Sequence, residues 1–191
     1  MKIIFATHNQ HKVKELNQLV PDAFTLLSLN DINCHQEIKE TGNTLEENAQ
    51  IKADYIRYKY GLDCFSDDSG LEVDALNGAP GVYSARYAGA EKNMEANIEK
   101  IWHELAGITY PEACFRSAFY VHLNGKKYCF EGRVNGKIIF EKRGTGGFGY
   151  DPIFIPNGYD QTFAELGDVI KNKISHRARA TTQFLDLLKG V

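Results

Sequence analysis

The chain has 191 residues, a formal net charge of −3, and hydrophobic and charged shares of 43% and 25%. That length suits one large domain or one domain with two lobes, and such a chain buries roughly 70% of its unfolded surface without a disulfide or metal staple. No Lys/Arg run has the length of a nucleic-acid tail and no stretch reaches about 18 apolar residues, so neither nucleic acid nor membrane is expected as a partner.

The opening apolar run from Ile3 to Ala6 is far too short for a signal peptide. Cys34, Cys64, Cys114 and Cys129 are widely spaced and lack zinc-ligand spacing, which reads as small buried hydrophobes in a reducing compartment. A soluble, cytoplasmic protein is expected.

In chain order, Lys2 to Ala6 suits a buried strand, and Val13, Leu16 and Val20 share a face of a helix over Lys12 to Val20. A strand is expected near Phe24 to Leu29. Thr44 and Glu47 spell a capping box for a helix whose apolar positions Leu45, Ala49, Ala53, Ile56 and Tyr60 recur every three or four residues until Gly61. Cys64 to Ser66 reads as a strand ending in Asp67-Asp68-Ser69-Gly70. A further helix is expected from Asn93 to Leu105, closed by Gly107.

The pattern then changes. Cys114 to Leu123 and Lys127 to Val134 are strand-like around Asn124-Gly125, and Asn135-Gly136 repeats the turn signal before Lys137 to Phe140. Two such turns predict an antiparallel meander. A Gly-rich loop, Gly144 to Pro152, follows, and a last helix is expected from His176 through Ala180, Phe184, Leu187 and Leu188. Alternating elements followed by a meander argue for an α/β or α+β protein with a mixed sheet.

Four polar islands stand where elements begin or end, positions that favour ligand sites. Thr7-His8-Asn9-Gln10-His11-Lys12 follows the first strand and opens a helix, so its backbone N–H groups and Lys12 could bind phosphate. A plain strand-to-helix turn would read the same way. Glu40-Thr41-Gly42-Asn43 leads into the capped helix, and Lys52 lies one turn beyond Asn48. Glu40 needs a second carboxylate to hold a metal.

Asp67-Asp68-Ser69-Gly70 supplies that carboxylate, and adjacent acids point to opposite faces if the strand persists. An Asp-rich turn is the bland alternative, weakened by the Gly/Pro turn and the Tyr83 to Tyr87 segment after it. The fourth island pairs the Gly-rich loop with Ser175-His176-Arg177. The loop is no Walker A motif, but Phe148 could stack on a base, and Lys171, His176 and Arg177 carry donors suited to a 6-oxo purine.

The ordered set closely resembles the inosine triphosphate pyrophosphatase family, also called dITP/XTP pyrophosphatases. It runs from Ala6-Thr7-His8-Asn9 and Lys12, through Glu40-Thr41-Gly42, Glu47-Asn48-Ala49 and Lys52-Ala53, to Asp67-Asp68-Ser69-Gly70-Leu71. It continues with Gly78 to Tyr87, Gly144 to Pro152 and Ser175-His176-Arg177, so essentially the whole chain is covered.

The resemblance implies hydrolysis of ITP, dITP and XTP to monophosphate and pyrophosphate, with Mg²⁺ as cofactor. It implies that Thr7, His8, Asn9, Gln10, His11 and Lys12 hold the triphosphate. Glu40 and Asp68 would serve the metal, with Asp68 also the general base, and Ser69, Lys52 and Lys171 would contact substrate. Phe148, Gly149, Tyr150 and Asp151, with His176 and Arg177, would form the base pocket. The implied fold is an elongated mixed sheet flanked by helices in two lobes with the nucleotide cleft between them, usually in a homodimer.

The opening loop departs from the family, where many members carry smaller residues, often Gly. An Asp near its ordinary pKa of about 3.9 is a weak base at pH 7, so metal assistance is expected. A regulatory nucleotide-binding module, a septum-associated Maf-type pyrophosphatase and a scaffold are the rivals. The Glu40 and Asp68 pair argues against the first, and the second's Ser-Pro-Arg-Arg-type opening is absent.

Overall fold

The computed structural model describes residues 1–17 and 19–191; the side chains of His11, Lys14 and Glu15 lie outside the described residues. The strands are β1 (Lys2–Phe5), β2 (Thr25–Leu27), β3 (Cys64–Val73), β4 (Glu112–Leu123), β5 (Lys126–Ile138) and β6 (Phe154–Pro156). The helices are α1 (Gln10–Asn17), α2 (Leu45–Tyr60), α3 (Met94–Glu104), α4 (Phe163–Ile174) and α5 (His176–Lys189).

One sheet runs in the order β2-β1-β3-β4-β5-β6. β1 is parallel to β2 and β3, whereas β5 and β6 are antiparallel, so the sheet is mixed as the residue pattern implied. Among the described residues no helix is long and apolar enough to cross a membrane.

The chain divides into two compact units. Unit 1 comprises Met1–Asp68, Ala118–Glu131 and Ala180–Val191; unit 2 comprises Ser69–Ser117 and Gly132–Arg179. Unit 1 is centred on an aromatic stack in which the Phe65 ring lies 4.3 Å from both Phe5 and Phe184, with Ile3, Leu26 and Phe119 around it. Unit 2 packs Leu71, Val73, Ile98, Ile101, Phe115, Phe154 and Phe163 into its own core.

Local chemistry explains most boundaries. Thr44 caps α2 by accepting from the Glu47 N–H at 3.1 Å, and Gly61 ends it at φ 67°. The return half of the expected capping box differs, because the Glu47 carboxylate accepts from the Asn43 N–H at 2.6 Å rather than from Thr44. α1 starts earlier than the periodicity suggests, since Asn9 Oδ1 accepts from the Lys12 N–H at 3.3 Å and opens the helix at Gln10. Asn17 then ties the far end of α1 to β2 through both the N–H and the carbonyl of Leu26.

Three expectations are corrected. β3 does not stop at Ser66 but runs on through Asp67-Asp68-Ser69-Gly70. β5 passes straight through Asn135-Gly136, where no turn forms. A Cβ on Gly136 would lie 2.3 Å from the Ile155 carbonyl oxygen, so glycine is there to let β6 approach. Asn124-Gly125 does turn, with φ of 50° and 76°, the type I′ geometry of a two-residue hairpin. Cys129 is exposed, because it falls on the solvent side of the β5 alternation, while the other three thiols are buried and all four are free.

α4 escaped the sequence reading. Thr162 and Glu165 form a complete capping box at its start, but Gly167 (φ 70°, ψ 174°) breaks the periodicity five residues later.

Candidate active site

In unit 1 the chemistry gathers on α2 and the middle of β3. Asn48 and Lys52 are four residues apart and share a helix face. The Ser66 hydroxyl donates to the Ala49 carbonyl and the Cys64 thiol to the Ala53 carbonyl (3.2 Å), which fixes β3 against that helix. Because β3 persists, its two acids point to opposite sides. Asp67 turns to Lys12, whose ammonium reaches both carboxylate oxygens at 2.9 and 3.0 Å. Asp68 turns to Lys52, at 3.7 Å.

Lys52 is the hub. Its ammonium donates to Glu40 Oε1 at 2.6 Å and to the Asp67 carbonyl at 2.6 Å. Burial alone would lower its pKa, but the charges of Asp68, Asp67 and Glu40 outweigh that and hold it above the ordinary lysine value. One ammonium therefore gathers the two carboxylates named for the metal.

Asp68 is pushed up to about 6, first by burial and further by the charges of Glu40 and Asp67, with Lys52 opposing. It is thus not the ordinary carboxyl expected from sequence. Its Oδ2 is buried with no hydrogen-bond partner among the described residues, as is Asn48 Nδ2.

Among the described residues no group of three or more His, Cys, Asp or Glu could hold a metal unaided. A carboxylate pair fits Mg²⁺, which is bound through one or two carboxylates with substrate phosphates and water. The buried Asp68 Oδ2 would offer such a cation a lone pair.

The loop after β1 is stitched locally. Thr7 Oγ1 accepts from the Asn9 N–H at 3.1 Å, His8 Nδ1 meets Asn30 Oδ1 at 3.1 Å, and Gln10 Nε2 donates to Ser28 Oγ at 2.7 Å. His8, Gln10 and Lys12 each engage another protein group, and the loop's backbone leads into the N-terminus of α1. The expected role of the His11 side chain lies outside the described residues.

In unit 2 a cavity of about 210 Å³ is lined by Ser69, Leu71, Ser84, Met94, Phe115, Phe148, Gly149, Tyr150, Asp151, Lys171, His176 and Arg177. All the base-pocket residues named from sequence line it. Its volume lies below the roughly 300–1,000 Å³ of pockets that enclose a whole drug-sized ligand, so it suits a flat ring. A larger depression of about 900 Å³ around Trp102 and Tyr110 contains none of them.

Asp151 is 2% exposed; its Oδ2 accepts from the Phe148 N–H at 2.8 Å and from the Lys171 ammonium. That ammonium also lies 4.3 Å from the centroid of the Phe148 ring, and Phe148 is 59% exposed. A Cβ on Gly147 would lie 2.2 Å from Asp151 Oδ2, so the loop can fold onto this carboxylate only with glycine there. Gly149 donates its N–H to Met94 Sδ at 3.0 Å.

Tyr150 donates to the Ser84 carbonyl at 2.8 Å, and burial raises its hydroxyl pKa. The His176 ring stacks on Phe115, with centroids 5.0 Å apart and planes 12° apart. Arg177 Nη2 reaches Ser69 Oγ at 3.5 Å, and Ser69 pairs with Ser117 at 2.8 Å.

Residues 3–187 match the Ham1 family. The chain belongs to that family. It is 54% identical over 188 residues to the dITP/XTP pyrophosphatase of Christiangramia forsetii, covering 98% of this chain and 99% of that protein. It is 48% identical over 191 residues to the dITP/XTP pyrophosphatase of Bacillus subtilis, covering 98% and 96%. Among solved structures, the Ham1 protein of Staphylococcus aureus superposes with a TM-score of 0.94 at 39% identity, covering 100% of this chain and 99% of that one.

Within this Ham1 chain, several site residues carried no signal in the sequence. Phe115 sits in an almost wholly buried strand, and only the fold stacks it on His176. Ser84 holds the Leu71 N–H at 2.9 Å and lines the cavity from a 3₁₀ turn. Asn48 belongs to the Glu47-Asn48-Ala49 motif, but only the structure shows its contact with the Gly42 N–H. Strand alternation said that the two acids would part, but which of them is tied to a lysine of α1 needed the structure.

Proposed function

We propose that this chain hydrolyses non-standard purine nucleoside triphosphates, namely ITP, dITP and XTP, to nucleoside monophosphate and pyrophosphate, and so cleanses the nucleotide pool. The observation that carries the reading is the buried Asp68 carboxylate, raised to about 6 and gathered with Glu40 around Lys52. Full-length relatives named dITP/XTP pyrophosphatase support the same chemistry.

In this reading water attacks the α-phosphorus, the new P–O bond forms, and the bond to the bridging oxygen of the β-phosphate breaks. Asp68 takes the proton from the water. Without a cation its carboxyl is raised to about 6, still largely ionised at neutral pH. Lys52 and the N–H groups at the start of α1 offset the charge growing on the phosphate oxygens. Mg²⁺, bound by Glu40 and Asp68, would supply Lewis-acid stabilisation of those oxygens and acidify the water.

Selection of the base rests on the unit 2 cavity. Phe148 offers a ring face for stacking, and the His176 and Arg177 donors suit the 6-oxo group, which adenine lacks. A site built around such donors penalises a base that leaves them unpaired by about 10⁴-fold. The 2-amino group of guanine must instead meet a wall. Cytoplasmic placement enters this reading from the apolar and cysteine pattern of the sequence and a homodimer from the family resemblance, and sedimentation of the purified protein tests the dimer.

The deciding experiment offers ITP, dITP, XTP, ATP, GTP, CTP and UTP with Mg²⁺ and scores pyrophosphate apart from orthophosphate. Pyrophosphate chiefly from ITP, dITP and XTP is expected. Orthophosphate release or a preference for standard nucleotides defeats the reading.

A further inference from the structure

We propose that Asn48 is a positioning residue for the acidic site, its amide oxygen fixing the Glu40–Gly42 segment and its amide nitrogen orienting the Asp68 carboxylate. The inference rests on the reading of Glu40 and Asp68 as the carboxylates that hold the divalent cation.

Asn48 is fully buried on the first turns of α2, yet it carries no core-filling hydrocarbon. Its Oδ1 accepts from the Gly42 N–H at 2.8 Å, two residues after Glu40. The contact is close enough to dictate the neighbour, since a Cβ on Gly42 would lie 2.8 Å from that oxygen and 2.6 Å from Glu47 Cβ.

The other end of the same side chain faces Asp68. Asn48 Nδ2 and Asp68 Oδ2 are both buried without a hydrogen bond of ordinary geometry, a donor and an acceptor left over beside each other. Unsatisfied buried polar atoms cost about 1–3 kcal/mol each, so a fold retains such a pair where something else uses it. A donor beside Asp68 turns its carboxylate plane and leaves lone pairs directed at a cation shared with Glu40. One amide thus sets the relative placement of two carboxylates that arrive from separate segments. Partners of this kind, lying behind the metal ligands, typically govern metal affinity or activity by 10–100-fold.

The test compares wild type with Asn48→Ala, which leaves a gap, and Asn48→Leu, which fills it without polar atoms. Mn²⁺ binding is measured without nucleotide by paramagnetic resonance, and thermal unfolding confirms that each variant is folded at the assay temperature. Mn²⁺ affinity is expected to fall by about tenfold in both. The Mg²⁺ concentration for half-maximal rate should rise by a similar factor, while KM for dITP at saturating Mg²⁺ stays within about twofold.

A merely structural role lowers the folded fraction without moving the Mn²⁺ affinity of what remains folded. Wild-type Mn²⁺ affinity and Mg²⁺ requirement in either folded variant overturn the proposal. If the wild type releases no pyrophosphate from any nucleotide, the functional reading fails on its own, and the Mn²⁺ comparison still decides the role of Asn48.

Discussion

Lys12 and Asp67 are joined through both carboxylate oxygens, at 2.9 and 3.0 Å, with the Asp67 side chain only 3% exposed. The pair ties the start of α1 to the middle of β3. Removing the cation alone strands a buried carboxylate, which typically costs about 3–5 kcal/mol. Lys12→Met should therefore lower stability to urea at pH 7 by about 3 kcal/mol. Lys12→Met combined with Asp67→Asn should lose distinctly less. Equal losses would show that the stranded charge is not the cause.

Asp68 gives the metal-free protein a pH dependence of defined sign. A carboxyl raised from 3.8 to about 6 binds its proton more tightly in the folded state. Its contribution to stability is present below the unfolded value and is lost as pH rises through about 6. At one pKa unit per 1.36 kcal/mol, the loss is of order 3 kcal/mol. Asp68→Asn, measured with chelator, should be more stable than wild type at pH 7.5 and gain little at pH 4. The same variant should lose about 10²-fold or more in kcat.

The two residues that meet above the unit 2 cavity should separate binding from folding. Phe148 is largely exposed, so Phe148→Ala should leave the melting midpoint nearly unchanged and raise KM for dITP about tenfold, the worth of one stacked base. Lys171→Met strands Asp151 and should cost about 3 kcal/mol of stability in urea unfolding. Arg177→Ala should lower the ratio of kcat/KM for ITP over ATP, and an unchanged ratio removes Arg177 from the pocket.

Gly136→Ala places a methyl group 2.3 Å from the Ile155 carbonyl oxygen, a backbone atom that cannot step aside. A loss of several kcal/mol is expected, carried by the β5–β6 pairing, against about 1 kcal/mol or less for alanine at an open surface position. Hydrogen exchange at Phe154 and Ile155 should rise in that variant.

These contrasts show what local code can and cannot reveal. α2 was legible because its start, face and stop are written within the segment, by Thr44, the apolar spacing and Gly61. Asn124-Gly125 and Asn135-Gly136 look identical in sequence but fold differently. The first answers to its own turn, the second to a carbonyl on another strand. α4 carried its signal in Thr162 and Glu165, and Gly167 hid the rest.

At the site, strand alternation allowed the two acids to part only if β3 persisted past Ser66, and which acid meets which lysine came from the fold. The Lys171–Asp151 pair and the stacking of Phe115 on His176 join segments that only the fold brings together. The raised pKa of Asp68 had the same origin, since burial is a property of the surroundings and not of the residue.

The unbroken course of β3 through Asp67 and Asp68 also governs which kinds of genetic change the chain can absorb. Side chains in a strand alternate at every residue, so one codon inserted or deleted between Cys64 and Asp67 would exchange the faces of the two acids. A deletion would present Asp68 to Lys12 and leave Ser69 facing Lys52, whereas an insertion would turn Asp67 to Lys52 and leave Lys12 without its carboxylate. Individual substitutions in this stretch can be sampled one at a time, but its length is fixed. Among diverged copies of this fold, the spacing from the start of β3 to its second acid should be free of insertions and deletions even where the intervening letters change.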